Sequence, residues 1–146
     1  MNIVLVTGGF DPLHSGHIAY FKAARELGDA LIVGVNSDEW LTRKKGRPFM
    51  PMQERASIIS NIQYVNKVIS FDDSDDSACQ AIKWILDSMP EHNIIFANGG
   101  DRTNTNTLEY TNYGNNDRLT FKFAVGGEDK KNSSSWILSD WKSPKT

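Results

Sequence analysis

The chain has 146 residues, 39% of them hydrophobic, which is enough to build the core of one domain spanning residues 1–146. Its 16 basic and 18 acidic residues give a formal net charge of −2, which excludes a generally basic nucleic-acid-binding surface. No apolar stretch approaches the ~20 residues of a membrane span, and the first residues lack the basic region and cleavage site of a signal peptide. We therefore expect a cytoplasmic protein that binds neither nucleic acid nor a membrane, with its single cysteine, Cys79, packed in the interior.

Short apolar runs alternate along the chain with segments of helical periodicity. The runs predict five buried parallel strands, at residues 2–7, 30–35, 67–71, 93–97 and 119–125. The periodic segments predict helices at residues 16–27, 53–62, 77–89 and 133–141. We expect the polar stretch 36–52 to be a loop with one helical turn, and the Asn/Thr-rich stretch 103–116 to contain one short helix. The alternation predicts an α/β fold built on a five-stranded parallel sheet.

The same pattern predicts which side chains pack in the core and which stay in solvent. Helical spacing places on the core faces of the first two helices Ile18, Phe21, Ala24, Leu27, Ile58, Ile59 and Ile62. The acidic run at residues 72–76 precedes the third helix, where carboxylates interact favourably with the helix dipole. We therefore interpret this run as a capping and solvated cluster rather than as a metal site.

The ten residues GGFDPLHSGH, at positions 8–17, follow the first strand and carry two of the three histidines. Gly8 and Gly9 allow backbone amides to approach a bound group closely. The helix that opens at Gly16 adds amides that lack intrahelical partners, which makes an anion site. His14 and His17 can each direct an N–H at an anion held there. The segment therefore predicts a phosphate site at the carboxyl edge of the sheet.

Other readings of this segment fit less well. The chain lacks the G-x-x-x-x-G-K-[ST] pattern of a Walker loop, and no G-x-G-x-x-G pattern follows the first strand. The third histidine, His92, and Cys79 are distant in sequence and do not have the spacing of zinc ligands. We therefore predict no metal site formed by protein side chains.

GGFDPLHSGH resembles the signature of the nucleotidyltransferase superfamily that contains cytidylyltransferases and small adenylyltransferases. The resemblance implies a Rossmann-like fold with three α/β/α layers around the five-stranded parallel sheet. It implies that His14 and His17 are catalytic, contacting the triphosphate and stabilising the transition state of attack on the α-phosphorus. It also implies nucleotide contacts from Gly8, Gly9, Phe10 and Asp11.

The segment NSDEWLTRKKGRPFMPMQER, at positions 36–55, is similar to the corresponding family segment, especially in the heptose-phosphate type. Its cations are suited to folding over a triphosphate. The resemblance implies that Lys45 contacts phosphates and belongs to the catalytic set. It further implies that Arg55 contacts the nucleotide.

Two later segments extend the resemblance over nearly the whole chain. FANGGD, at positions 96–101, is similar to a glycine–acid element of the heptose-phosphate type and implies nucleotide contacts from Gly99 and Asp101. The triplet Ser133, Ser134 and Ser135 stands where the family carries Ser/Thr residues that bind phosphate before a helix. Upstream, residues 128–131 read EDKK where the glycerol-phosphate type has Arg-Thr-Glu-Gly, and this departure leaves the nucleobase open.

The resemblance predicts a nucleotidyltransferase that moves NMP from an NTP to a phosphorylated polyol or sugar and releases pyrophosphate. The size of the chain favours CTP, as in the glycerol-phosphate type, whereas the Gly-Gly-Asp element favours ATP. We expect Mg²⁺ to bridge the phosphates, held mainly by substrate and water. The alternatives are an adenylyltransferase acting on a sugar-1-phosphate or on a NAD or coenzyme A precursor, and a nucleotide-binding module without turnover. A homodimer is compatible with the resemblance, since family members are often dimers.

Overall fold

The computed structural model describes residues 1–99, 107–126 and 137–139. Its elements in chain order are β1 (Asn2–Gly8), α1 (Ser15–Arg25), β2 (Ala30–Val35), α2 (Asp38–Lys45), α3 (Met52–Ser60), β3 (Lys67–Ser70), α4 (Cys79–Ser88), β4 (Asn93–Gly99), α5 (Leu108–Tyr113) and β5 (Leu119–Val125). The strands form one sheet in the order β3-β2-β1-β4-β5, and every neighbouring pair is parallel. The predicted five-stranded parallel α/β fold is confirmed. Of the predicted helix at 133–141, only the helical residues 137–139 lie within the described residues.

Helices cover both faces of the sheet, which gives the three predicted layers. Ile3 and Leu5 of β1 pack with α4 in one core cluster, whereas Val4 and Val6 pack with Phe21 of α1 in the other. Successive residues of a strand point to opposite faces, so an uninterrupted apolar strand can feed two cores at once. No helix in the described part of the chain is long and apolar enough to cross a membrane.

Residues 38–45 form a complete helix, α2, where the sequence pattern predicts a loop with one helical turn. The Ser37 side chain caps it by accepting from the backbone N–H of Trp40 at 3.0 Å, and Leu41 anchors it in the interior. Acids in the first turn and bases in the last turn complement the helix dipole. Since only one residue of α2 is buried, hydrophobic periodicity carries almost no signal for this helix.

The predicted core faces of α1 and α3 are only partly right. Phe21, Ala24 and Ile59 are fully buried, but Ile18 is 47%, Leu27 37% and Ile58 40% exposed. Each short helix packs on the sheet through one narrow stripe, so apolar residues at the margins of that stripe stay in solvent. Cys79 is buried as predicted.

The neighbouring isoleucines of α3 provide a direct test of this packing. Ile59→Ala is expected to lower the free energy of unfolding by about 2–5 kcal/mol, because it leaves a cavity between α3 and the sheet. Ile58→Ala is expected to cost less than about 1 kcal/mol, because that side chain is at the surface. Denaturant unfolding of the two variants measures both values, and equal losses would contradict the observed orientation of α3.

Candidate active site

The carboxyl ends of the parallel strands meet at one edge of the sheet, and the segment GGFDPLHSGH leaves β1 at this edge. Phe10 has a φ of +53°, in a region that non-glycine residues rarely adopt. Such backbone strain persists only where the surroundings enforce it. The fold therefore fixes the path of this loop before α1 begins.

The two histidines of the loop cap α1 reciprocally. His14 is the N-cap, and its Nδ1 accepts from the backbone N–H of Gly16 at 3.1 Å. The Nδ1 of His17 accepts from the backbone N–H of His14 at 3.3 Å. The rings are stacked, with centroids 3.9 Å apart and planes 28° from parallel. Since each Nδ1 is an acceptor, the hydrogen-bond pattern assigns the proton of each neutral ring to Nε2.

His17 is a neutral donor rather than a cation in this state. Burial and, to a smaller extent, the neighbouring His14 lower the pKa of His17 to about 3. The edge of the Phe10 ring lies against His17, with centroids 5.1 Å apart. An apolar neighbour of this kind disfavours the charged imidazolium.

Gly8 and Gly9 are required by packing inside the protein. A Cβ on Gly8 would lie 2.8 Å from the Phe10 ring, and one on Gly9 would lie 3.0 Å from Leu41 and 3.1 Å from Trp40. The predicted reason for both glycines is close approach of their backbone amides to a ligand. In the structure a side chain at position 8 would collide with the Phe10 ring that packs against His17, and one at position 9 would require Leu41 and Trp40 to shift slightly.

Asp11 is buried and joins the histidine loop to the segment after α2. Its carboxylate accepts from the backbone N–H groups of Phe49 and Met50, both at 2.6 Å. The Nζ of Lys45 lies 3.5 Å from this carboxylate and donates to the Asp11 carbonyl oxygen. The structure thus places Lys45 beside the histidine loop, and its predicted contact with phosphates stays a prediction. The Asp11 side chain has a structural role, because it is buried and its carboxylate accepts from two backbone amides. The buried Phe10 ring is also support beneath the histidines.

Arg55 has no exposed surface, which does not fit the predicted direct contact with the nucleotide. Its guanidinium donates to the carbonyls of Met50 at 2.9 Å, and of Gly9 and Asn36 at 2.8 Å. It also donates to the carboxylate of Asp38 at 2.7 Å. Arg55 therefore holds together the segments that follow β1 and β2, and an exposed ligand would have to break these bonds to reach it.

Two other cations of the basic segment, Arg43 and Lys44, also contact protein groups. Arg43 forms an ion pair with Asp76 at 2.9 Å, and the Nζ of Lys44 lies 4.8 Å above the Trp40 ring. The Trp40 ring thus lies beside Gly9 and also contacts the ammonium group of Lys44. Tyr110 contacts the Phe121 ring of β5 but is 39% exposed, whereas Tyr113 packs against the core cluster that contains α4.

The end of β4 is held by a residue that the sequence analysis does not single out. The Tyr20 hydroxyl, on α1, donates to the carbonyl of Ala97. A Cβ on Gly99 would lie 2.8 Å from the Tyr20 ring. Close to this contact the register between β4 and β5 shifts, and Ala124 has a φ of +55°. Gly99 is thereby placed against α1, whereas Asp101, Ser133, Ser134 and Ser135 lie outside the described residues.

The acidic run contains a second residue that sequence reasoning missed. Asp72 and Asp75 are exposed and accept from the backbone amides of Ser74 and Ser77 in local turns. The predicted capping role is wrong, because the N-cap of α4 is Ala78 and no side chain caps it. Asp73, in contrast, is buried and accepts from Asn36 and Ser37. Burial raises its pKa, but the hydrogen bonds from Ser37 and Asn36 outweigh that effect and leave the pKa below its ordinary value. A run of five polar residues offers no periodicity from which this burial could be read.

Comparison with known proteins places the chain among nucleotide-handling enzymes. Residues 5–134 match the family described as cytidylyltransferase-like. The chain is 38% identical over 112 residues to the bifunctional protein HldE of Alkalilimnicola ehrlichii, and 42% identical over 101 residues to that of Nitratiruptor. These matches cover 67% and 68% of the chain but 23% and 20% of the relatives, so the chain spans less than a quarter of their length.

Two solved structures share the fold. A lipopolysaccharide core biosynthesis protein from Thermoplasma volcanium has a TM-score of 0.63 and 28% identity, over 85% of this chain and 94% of that chain. A putative nicotinate-nucleotide adenylyltransferase from Vibrio parahaemolyticus has a TM-score of 0.66 over 94% of this chain and 84% of its own. At 14% identity the second likeness concerns the fold alone.

The lowered pKa of His17 makes the stability of the protein depend on pH. In the unfolded chain His17 has the ordinary pKa of 6.5, whereas in the folded protein its pKa is about 3. The stability that comes from neutral His17 is therefore fully present above about pH 6.5. It is lost progressively as the pH falls from about 6.5 to about 3. Between about pH 7.5 and about pH 5 we expect this residue to cost about 2 kcal/mol of unfolding free energy.

His17→Gln is the matched control, because glutamine at the third helical position can still accept the capping bond but does not titrate. Denaturant unfolding at both pH values should show a smaller loss in this variant than in the unsubstituted protein. Identical pH dependence in the two proteins would contradict the buried, neutral state of His17.

The buried position of Arg55 predicts a loss of stability that needs no nucleotide. Arg55→Lys is expected to lower the unfolding free energy by about 3 kcal/mol, because an ammonium cannot reach the four acceptors of the guanidinium. Arg43→Lys, at an exposed ion pair, is expected to cost less than about 1 kcal/mol. Thermal and denaturant unfolding without ligand measures both values. An unchanged stability of Arg55→Lys would contradict the structural role of Arg55 and favour the predicted direct contact with the nucleotide.

Proposed function

The chain belongs to the cytidylyltransferase-like family of nucleotidyltransferases, and we propose that it transfers a nucleoside monophosphate from an NTP to a phosphorylated sugar. The observation that carries the proposal is the stacked pair His14 and His17 at the start of α1. Their Nδ1 atoms are occupied by backbone amides, so their Nε2–H groups act as donors beside the positive end of the helix. This arrangement suits the charge that develops on a leaving pyrophosphate.

In the proposed reaction an oxygen of the acceptor phosphate attacks the α-phosphorus of the NTP. The bond from the α-phosphorus to the bridging oxygen breaks, and pyrophosphate leaves with the electron pair. The acceptor phosphate is already anionic near neutral pH, because its second pKa is about 6, and no general base is required. Catalysis then rests on alignment and on charge stabilisation by the two imidazoles and Lys45.

Neutral imidazoles suit this role. A buried imidazolium would bind the ground-state triphosphate strongly, whereas a fixed neutral donor gains most when charge builds on the departing oxygens. Lys45 supplies the positive charge, and its position at the Asp11 carbonyl places it beside the same loop. Its side chain is 27% exposed, so it remains accessible from solvent.

Mg²⁺ is proposed to accompany the NTP. Within the described residues no group of three or more His, Cys, Asp or Glu side chains is arranged to hold a metal ion. The buried carboxylate of Asp11 is already occupied by two backbone amides. We therefore propose an ion held by phosphate oxygens and water, which would neutralise charge on the phosphates when bound.

The acceptor and the nucleobase rest on resemblance. FANGGD and the basic segment resemble the heptose-phosphate type, and the chain is similar to HldE and to a lipopolysaccharide core biosynthesis protein. These likenesses support ATP and a sugar phosphate. The preference for CTP depends on chain size, which carries less weight because the matched relatives are several times longer. CTP with a polyol phosphate is the second candidate, and the homodimer stays a prediction.

Pyrophosphate release tests the proposal. The protein is incubated with Mg²⁺ and either ATP or CTP, each with a sugar-1-phosphate, glycerol-3-phosphate, or a NAD or coenzyme A precursor. We expect pyrophosphate to appear only when both substrates are present, with ATP and a sugar phosphate giving the highest kcat/KM. Nucleotide binding without turnover in every combination would overturn the enzymatic role.

The role of the histidine pair is tested in the same assay. His17→Ala is expected to lower kcat by roughly 10²-fold or more, since it removes a donor to the leaving group. His92→Ala is the control, because His92 precedes β4 at the opposite edge of the sheet. Near-full turnover in His17→Ala, or an equal loss in His92→Ala, would contradict the assignment.

A further inference from the structure

We infer that Asp73 is a positioning residue, which acts by fixing α2 so that Lys45 reaches the histidine loop. The inference rests on the proposed function, because Lys45 acts there on the triphosphate. Asp73 lies in the connection between β3 and α4, 28 positions beyond Lys45 in sequence. Its carboxylate is nevertheless only 4% exposed and faces the start of α2.

The Asp73 carboxylate holds the first turn of α2. One oxygen accepts from the backbone N–H of Ser37 at 2.7 Å and from the side-chain amide of Asn36 at 3.0 Å. The other accepts from the Ser37 hydroxyl at 2.7 Å. That hydroxyl in turn accepts from the N–H of Trp40, which makes Ser37 the N-cap. Asp73 thus fixes both the position and the rotamer of the capping residue.

The same loop holds α2 a second time, further along the helix. Arg43 donates to the backbone carbonyl of Asp73 at 2.8 Å and forms its ion pair with Asp76. The two attachments are on residues that are six positions apart, Ser37 and Arg43, so they restrain the direction of the helix as well as its start. Arg43 is partly exposed, and its contribution alone is expected to be small.

Asn36 links the buried carboxylate of Asp73 to the buried guanidinium of Arg55. Arg55 donates to the carbonyl of Asn36, while Asp73 accepts from the side-chain amide of the same residue. Arg55 also holds Asp38, the first residue of α2. Two buried charges of opposite sign therefore both bond to the beginning of α2, Asp73 through Ser37 and Arg55 through Asp38, which lowers the cost of burying either one.

The helix carries this restraint to Lys45, its last residue. From Ser37 to Lys45 an α-helix rises about 12 Å, so a tilt of roughly 10° at its start moves its end by roughly 2 Å. Displacements of about 1 Å at a reacting group are enough to reduce turnover by about 10²-fold. The contact of Lys45 with Asp11 is therefore expected to depend on Asp73, although the two aspartates belong to different connections.

A double-mutant cycle between Asp73 and Lys45 tests the inference on the full chain. Lys45→Ala is expected to lower kcat by about 10–100-fold, and Asp73→Asn by about 10-fold, with the protein still folded. In the Lys45→Ala background, Asp73→Asn is expected to change kcat by less than about 2-fold, because its effect is exerted through Lys45. Ser37→Ala, which removes the hydroxyl link alone, should show the same coupling and replaces Asp73→Asn if that variant does not fold.

Glu109→Gln is the matched control. Glu109 is another buried carboxylate, but it accepts from the backbone N–H of Ala78 at the start of α4 and does not touch α2. Any effect it has on kcat should be the same with and without Lys45. Independent effects of Asp73→Asn and Lys45→Ala in an active protein would overturn the positioning role alone. Absence of turnover in the unsubstituted protein would overturn the proposed function, and the positioning role with it.

Discussion

Reciprocal capping by two histidines is the interaction on which the rest of the site depends. The first N–H groups of any helix lack intrahelical partners. Here the Nδ1 atoms of His14 and His17 accept two backbone N–H groups at the start of α1. Capping therefore fixes the ring positions, the stacking and the tautomers at once. The same bonds that begin the helix assign the protons of both rings to Nε2, the atom through which we propose that they donate to a phosphate.

Buried charges hold this arrangement in place. Asp11, Arg55 and Asp73 are all buried, and each bonds mainly to backbone or capping groups of a neighbouring connection. No buried side-chain nitrogen or oxygen in the described residues lacks a hydrogen-bond partner. A fully paired network of this kind specifies one arrangement of loops, because a shifted loop would leave a buried charge unpaired. The groups that we propose to act on the triphosphate can then remain few.

Sequence patterns predicted the sheet well because its strands are apolar on both faces, as in residues 3–6 of β1. They predicted the histidine loop because its glycines and histidines are local in sequence. They missed α2, whose stability comes from Ser37, from capping charges and from a distant loop. The family resemblance implied nucleotide contacts from Arg55 and Asp11, and residue type alone does not reveal that both side chains are buried. Asp73 could not be distinguished from its acidic neighbours, since only tertiary contacts with Asn36 and Ser37 separate it from them.

The central claim is that both imidazoles carry their proton on Nε2 and present it to a polyphosphate. Long-range ¹H–¹⁵N correlation NMR of the imidazole rings reads the protonated nitrogen of each histidine directly, before and after addition of inorganic tripolyphosphate with Mg²⁺. We predict the Nε2–H tautomer for His14 and His17 near neutral pH, with both Nε2 resonances shifting on addition while His92 does not respond. A proton on Nδ1 of either ring, or Nε2 resonances indifferent to tripolyphosphate, would contradict this account of the site.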